Sequence, residues 1–175
     1  QRSMANNSAV YNGKPSAEEF LDEWTALVKS KSGERGIFNR GGLEKQLPAR
    51  RWAAIKNERQ IGLNPCGEIY LRSKQFCNLT SIVIRPNDTE KTLKKKMGLA
   101  TLLGTYQSTL TNFGYLSKKW KENCEEERLL GVSLTGYYDN QIIRDDKMLS
   151  ALKKYSIEVN KNYAKRFDIN PSTAI

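Results

Sequence analysis

Two segments rich in β-branched residues, 79–84 and 130–136, lie far apart in the chain with strongly helical sequence between them. Antiparallel neighbours can be joined by a tight hairpin, whereas parallel neighbours need a long crossover, usually a helix. The spacing therefore predicts a parallel pair in an α/β arrangement. The first segment ends at Pro86, and in the second Val132 and Leu134 alternate with Ser133 and Thr135. Between them a helix is expected over about 89–113, with Leu93, Met97, Ala100, Leu103, Tyr106, Leu110 and Phe113 on its buried face. A shorter helix is expected over about 117–128. A long one follows over about 145–167, with Met148, Leu152, Tyr155, Val159 and Tyr163 on one face and a stop at Asn170-Pro171.

Upstream, Ser16 and Glu19 form a capping box ahead of Phe20, Trp24, Leu27 and Val28, which predicts a helix over 16–30. Gly33, Gly36, Gly41 and Gly42 break it, and 36–39 reads as a short strand or extended turn. Pro65 and Gly67 forbid regular helix in 64–71, which is expected to be a constrained loop. About three strands are visible, too few to close a barrel, so chain outside this sequence is expected to complete the sheet. Beginning at Gln1 rather than Met, the chain reads as an internal piece.

Several classes of function are excluded early. No apolar run approaches the roughly 20 residues that cross a bilayer, and residues 1–7 lack a signal segment. Three cysteines, Cys66, Cys77 and Cys124, do not make a disulfide framework, so a reducing, cytoplasmic setting is expected. The absence of histidine removes imidazole acid–base chemistry and most zinc sites, and no metal site is expected. A net charge of +10 suits polyanionic partners such as nucleotides, or simply a solvated lysine-rich face.

The chemically informative segment is Asn64-Pro65-Cys66-Gly67-Glu68-Ile69, followed by Phe76-Cys77-Asn78-Leu79. In an extended loop, a thiol and a carboxylate two positions apart point the same way. Asn64 adds an amide two positions before the thiol, and Cys77 is a second thiol close by in sequence. Without histidine a papain-like site is ruled out, which leaves redox or radical sulfur chemistry. The structural alternative is a pair of buried, inert cysteines.

This pattern resembles the finger loop of ribonucleotide reductase catalytic subunits, here spanning about 64–77. Flanking segments agree: Met4-Ala5-Asn6-Asn7-Ser8-Ala9-Val10, Ser32-Gly33-Glu34-Arg35-Gly36-Ile37-Phe38-Asn39-Arg40, Glu125-Glu126-Glu127-Arg128-Leu129-Leu130-Gly131-Val132-Ser133-Leu134-Thr135-Gly136, and Ile169-Asn170-Pro171-Ser172-Thr173-Ala174-Ile175. They are similar to the monomeric, adenosylcobalamin-dependent branch more than to the iron-dependent one, which stays as an alternative. The resemblance implies an incomplete part, residues 1–175, of a ten-stranded α/β barrel. It implies reduction of ribonucleoside triphosphates (or diphosphates), adenosylcobalamin as cofactor and thioredoxin or a similar dithiol as reductant. By the same resemblance Cys66 carries the thiyl radical, Glu68 takes the 3′-hydroxyl proton, Asn64 hydrogen-bonds the ribose hydroxyls and Cys77 supplies reducing equivalents.

The second reducing cysteine, the phosphate loop, the C-terminal cysteine pair and a cobalamin site are not recognisable in the chain, so turnover is expected only with the remaining reductase segments. Other features are read as structural. Cys124 is taken as an incidental thiol, Glu125, Glu126 and Glu127 as a solvated face or ion pairs, lysines 94–96 as solvated, and Trp24, Trp52 and Trp120 as core or edge packing. From other classes, a basic nucleic-acid-binding module and an inert reductase remnant remain as alternatives. No known basic-aromatic motif is present, so direct nucleic-acid binding is not expected.

Overall fold

The computed structural model describes residues 7–31, 36–58 and 60–175. The contacts divide what the sequence suggests is one piece of a single domain into two compact units, Gln1–Ser73 and Lys74–Ile175. Each has its own buried cluster.

In the first unit, strand β1 (Ser8–Tyr11) pairs in parallel with β2 (Gly36–Asn39), Ser8 opposite Gly36 and Tyr11 opposite Asn39. The crossover between them carries helix α1 (Ala17–Ser30), which begins where its capping box predicts. The Ser16 hydroxyl accepts from Glu19 N, while the Ser16 N–H donates to the Glu19 carboxylate and holds its pKa below the ordinary range. Not one α1 residue is buried, so local capping and propensity carry this helix more than packing does. Two short helices follow, α2 (Leu43–Gln46) and α3 (Ala49–Ile55), then an antiparallel hairpin of β3 (Ile61–Leu63) and β4 (Tyr70–Arg72). Phe38, Leu43, Ile55 and Ile61 form the core, with Leu47, Trp52, Leu63 and Tyr70 against it. Stacking of Phe38 on Tyr70 ties β2 to the hairpin, and the buried Arg51 guanidinium donates to the Tyr70 carbonyl.

The second unit holds the predicted parallel pair. Strand β5 (Asn78–Val83) lies beside β6 (Leu130–Thr135), Asn78 opposite Leu130 and Val83 opposite Thr135. Helices α4 (Glu90–Gln107) and α5 (Lys118–Glu127) make the crossover, and α6 (Asp146–Arg166) follows β6. Ile82, Ile84, Leu93, Met97, Ala100, Ile143, Met148 and Leu152 form one core. Each fully buried aliphatic side chain there contributes about 1.5–3 kcal/mol by leaving water. Gly136, with φ at 78°, turns the chain out of β6 so tightly that a Cβ would sit 2.6 Å from the Ile84 carbonyl oxygen.

Helix α4 corrects the sequence reading in two ways. It stops at Gln107, because the hydroxyls of Ser108 and Thr109 capture the carbonyls of Thr105 and Tyr106. Its buried face begins as expected at Leu93, Met97 and Ala100, then continues through Thr101, Gly104 and Thr105. At 3.6 residues per turn Leu103 and Tyr106 fall roughly 90° and roughly 150° around the helix from the Leu93–Met97–Ala100 stripe and are exposed, and Leu110 lies beyond the helix end. Small residues suit the inner face: a Cβ on Gly104 would already lie 3.3 Å from Leu130, and the Thr101 and Thr105 hydroxyls bond carbonyls one turn back.

Candidate functional site

The 64–69 segment is the tip of the β3–β4 hairpin, and its conformation differs from the extended loop expected. Gly67 N donates to the Asn64 carbonyl at 3.0 Å, closing a four-residue turn with Pro65 and Cys66 at its centre. Pro65 presets its own φ, and Gly67 supplies the left-handed φ of 81° that other residues adopt only with strain. Two further bonds lock the turn. Asn64 N donates to the Ile69 carbonyl at 3.2 Å, and Ile69 N donates to Asn64 Oδ1 at 3.1 Å. Alternation in an extended strand therefore does not govern the tip; the turn sets the directions of Cys66 and Glu68.

Asn64 and Cys66 line a pocket of about 500 Å³ in the first unit. Its walls are the turn with Gly62 and Leu63, and the strand pair β1–β2 through Ser8, Val10, Gly36, Ile37 and Phe38. The size is that of a small-molecule site. Among the described residues the thiol is the one ionisable side chain that lines it, and Glu34 and Arg35, next to the lining Gly36, lie outside the described residues. Because Asn64 Oδ1 is engaged by Ile69, the side-chain Nδ2 is the Asn64 group that can donate to a ligand. Glu68 is exposed on the same tip and is not among the residues lining the pocket. The thiol itself is exposed. Ser8, Val10 and Phe38 are lining residues that sequence patterns left unassigned, although they sit in segments that carry the family resemblance. Parts of those segments, residues 4–6 and 32–35, lie outside the described residues.

Cys77 belongs to the second unit, half-buried one residue before β5. Strand alternation puts it on the face of Leu79, Ser81 and Val83, all exposed, opposite the face that packs on α4. The remaining thiol, Cys124, lies on the helix expected for it. It is buried on α5, with Sγ 4.0 Å from the Phe76 carbonyl oxygen, and none of the three cysteines is in a disulfide.

In the acidic run after it, Glu126 is exposed and Glu125 pairs with Lys121 at 3.9 Å, in line with a solvated face or ion pairs, and the departure is at one residue. Glu127 is fully buried, its carboxylate accepting from Gln75 Nε2 at 2.7 Å and from Thr173 Oγ1 at 3.1 Å. Of lysines 94–96, the first two are exposed, whereas Lys96 bonds the buried Asp88 at 2.5 Å and the Val83 carbonyl at 2.8 Å. Trp52 packs on the first core and Trp120 on Phe76, but Trp24 is exposed.

Among the described residues, no group of three or more His, Cys, Asp or Glu side chains could hold a metal ion, and no helix is long and apolar enough to cross a membrane. Comparison of the chain with protein-family models, with curated proteins and with solved structures returns no match.

Proposed function

We propose that this chain is part of the catalytic barrel of a ribonucleotide reductase, of the adenosylcobalamin-dependent kind, and that Cys66 is its radical-bearing cysteine. The observation that carries the reading is the shared pocket of Asn64 and Cys66, of about 500 Å³, walled on one side by a proline–glycine turn. A ribose fits such a place, and its phosphates would be held by segments beyond those seen here.

In this reading a thiyl radical at Cys66 takes the hydrogen from ribose C3′, leaving a thiol and a carbon radical. Glu68, on the same tip but outside the pocket lining, would turn inward to accept the 3′-hydroxyl proton. Cys77 and a second thiol from the rest of the enzyme supply two electrons and two hydrogens and end as a disulfide: one proton joins the 2′-hydroxyl, which leaves as water, and the other hydrogen ends on C2′. Glu68 then returns its proton to the 3′ oxygen, and Cys66 returns its hydrogen to C3′ and is again the thiyl radical. Asn64 orients the ribose through Nδ2. A radical on sulfur needs exclusion of water, and Cys66 is exposed in this chain, so the reading requires further segments to cover the tip.

The second unit supports a larger sheet. The β5–β6 face that alternation assigns to Cys77 is open, and β6 pairs with β5 along only one edge among the described residues. Beside it a groove of about 260 Å³ is lined by Met97, Val132, Leu134, Leu149, Leu152 and Ile175. Leu130 N already donates to the Ala174 carbonyl, and Thr173 N to the Glu127 carbonyl. A further parallel strand beside β6 would fill that groove and extend the sheet toward the proposed ten-stranded barrel.

Adenosylcobalamin would supply the radical when bound. The described residues do not fit it: the Cys66 pocket is too small for a corrin ring and holds no imidazole.

The test is complementation. The 175-residue chain is combined with the flanking reductase segments, adenosylcobalamin, a dithiol and a ribonucleoside triphosphate, and deoxyribonucleotide formation is measured. Turnover is expected in the assembled enzyme and not in the isolated chain, and Cys66→Ser abolishes it. Undiminished turnover with Cys66→Ser sinks the proposal.

A further inference from the structure

The core of the second unit lies on one side of the β5–β6 pair, and the other side is open. Alternation places Cys77, Leu79, Ser81 and Val83 on the open side, and the register sets Ser81 beside Ser133 and Val83 beside Thr135. All of these except the half-buried Cys77 are exposed. In an α/β barrel the helices lie outside, so this side of the strands looks inward, where branched aliphatic residues usually fill the space. Three hydroxyls stand there instead. Ser81 Oγ and Thr135 Oγ1 lie 3.0 Å apart and share one hydrogen bond. A hydroxyl has one donor and two acceptor positions, so the pair can still donate and accept. Enclosing unfilled hydroxyls costs stability, and closure of the barrel over them calls for a polar occupant.

We infer that Ser81 and Thr135 bind the base of the ribonucleotide, a role that rests on the reductase reading above. Distance selects the base over the sugar. Four residues of strand put Ser81 about 13 Å beyond Cys77, the thiol assigned to the ribose, which is the scale of a nucleoside. Charge selects the base over the phosphates. Ser81, Ser133 and Thr135 are neutral, and the next cation along the extension of β5, Arg85, is about 13 Å further on. Hydroxyls that donate and accept also match the mixed donor and acceptor edge of a base.

The assembled enzyme of the complementation experiment provides the test. Two quantities are measured: the KM for adenosine triphosphate, and the inhibition constant of benzimidazole ribonucleoside triphosphate, whose six-membered ring bears no hydrogen-bonding group. Ser81→Ala and Thr135→Val are each expected to raise the KM about three- to tenfold, the worth of one hydrogen bond, with kcat nearly kept. The inhibition constant should stay unchanged, because a merely structural role would weaken both ligands alike. Ser81→Thr, which returns a hydroxyl, should recover most of the loss. Circular dichroism checks that each variant folds. A parent enzyme without turnover, or one indifferent to Cys66→Ser, overturns the reductase reading and this inference with it. If the parent is active and depends on Cys66, variants that weaken both ligands equally, or neither, overturn this inference alone.

Discussion

Asn64 and Ile69 bond each other twice, backbone N–H to carbonyl in one direction and backbone N–H to side-chain oxygen in the other. Asn64 therefore serves the turn with one end of its amide and leaves the other end for a ligand. Asn64→Asp keeps the accepting oxygen and removes the donor, whereas Asn64→Ala removes both. We expect Asn64→Asp to retain the stability of the first unit and Asn64→Ala to lose about 1 kcal/mol, the net worth of a hydrogen bond. Urea unfolding followed by Trp52 fluorescence measures the difference; equal losses would assign the side chain no part in closing the turn.

Gly67 and Gly136 share a positive φ but differ in surroundings. Nothing lies within 4 Å of a Cβ built on Gly67, so Gly67→Ala carries backbone strain alone, about 1 kcal/mol. At Gly136 the added carbon meets the Ile84 carbonyl oxygen at 2.6 Å as well. We expect Gly136→Ala to cost about 3 kcal/mol through combined strain and overpacking. Denaturant midpoints of the two variants rank them, and Gly67→Ala emerging as the worse would contradict this geometry.

Glu127 anchors Gln75, ahead of β5, and Thr173, near the last residue. Glu127→Ala removes the carboxylate they share, leaving Gln75 Nε2 its bond to the Asn123 carbonyl and Thr173 Oγ1 its longer one to the residue-127 carbonyl, and is expected to cost about 2 kcal/mol. Amide hydrogen exchange at Ser172 and Thr173 should accelerate at the same time. Ser172 N also bonds Asn160 Oδ1, so Asn160→Ala is expected to speed the same amides.

Asp88 gives the second unit an acid-side pH dependence. The Lys96 ammonium beside it, with bonds from Arg85 N and Thr92, holds its carboxyl below the ordinary value of 3.8. A depressed folded-state pKa contributes stability that is fully present well above the unfolded value. That contribution fades as pH falls from about 3.8 through the lower folded value. Stability measured from pH 6 down to about 2 should decline less steeply in Asp88→Asn than in the parent chain.

What the sequence disclosed depended on the length of the signal. The capping box at Ser16, the crossover helices and the β5–β6 pairing were legible because each spans several turns or a full alternation. The hairpin around Cys66 was not, since three-residue strands are too short to show a period; only Pro65 and Gly67 marked the bend between them. Glu127 was misread because the burial of a carboxylate depends on Gln75 and Thr173, both distant in sequence. The outward turn of Leu103 and Tyr106 was hidden because apolar residues from two sides of α4 were read as one face, although at 3.6 residues per turn neither shares the Leu93–Met97–Ala100 stripe. At the candidate site the residue types pointed to sulfur chemistry, while the walls given by Ser8, Val10 and Phe38 depended on a strand pairing that composition does not encode.

The three thiols stand at three depths: Cys66 at an open tip, Cys77 half-covered beside a strand, Cys124 inside. An alkylating reagent would thus meet them in sequence, tagging the first in the native protein, the second on local fraying, and the third only when the second unit opens altogether. The chain carries its own depth gauge, and mass spectrometry of the labelled thiols would report how far any given molecule had come apart.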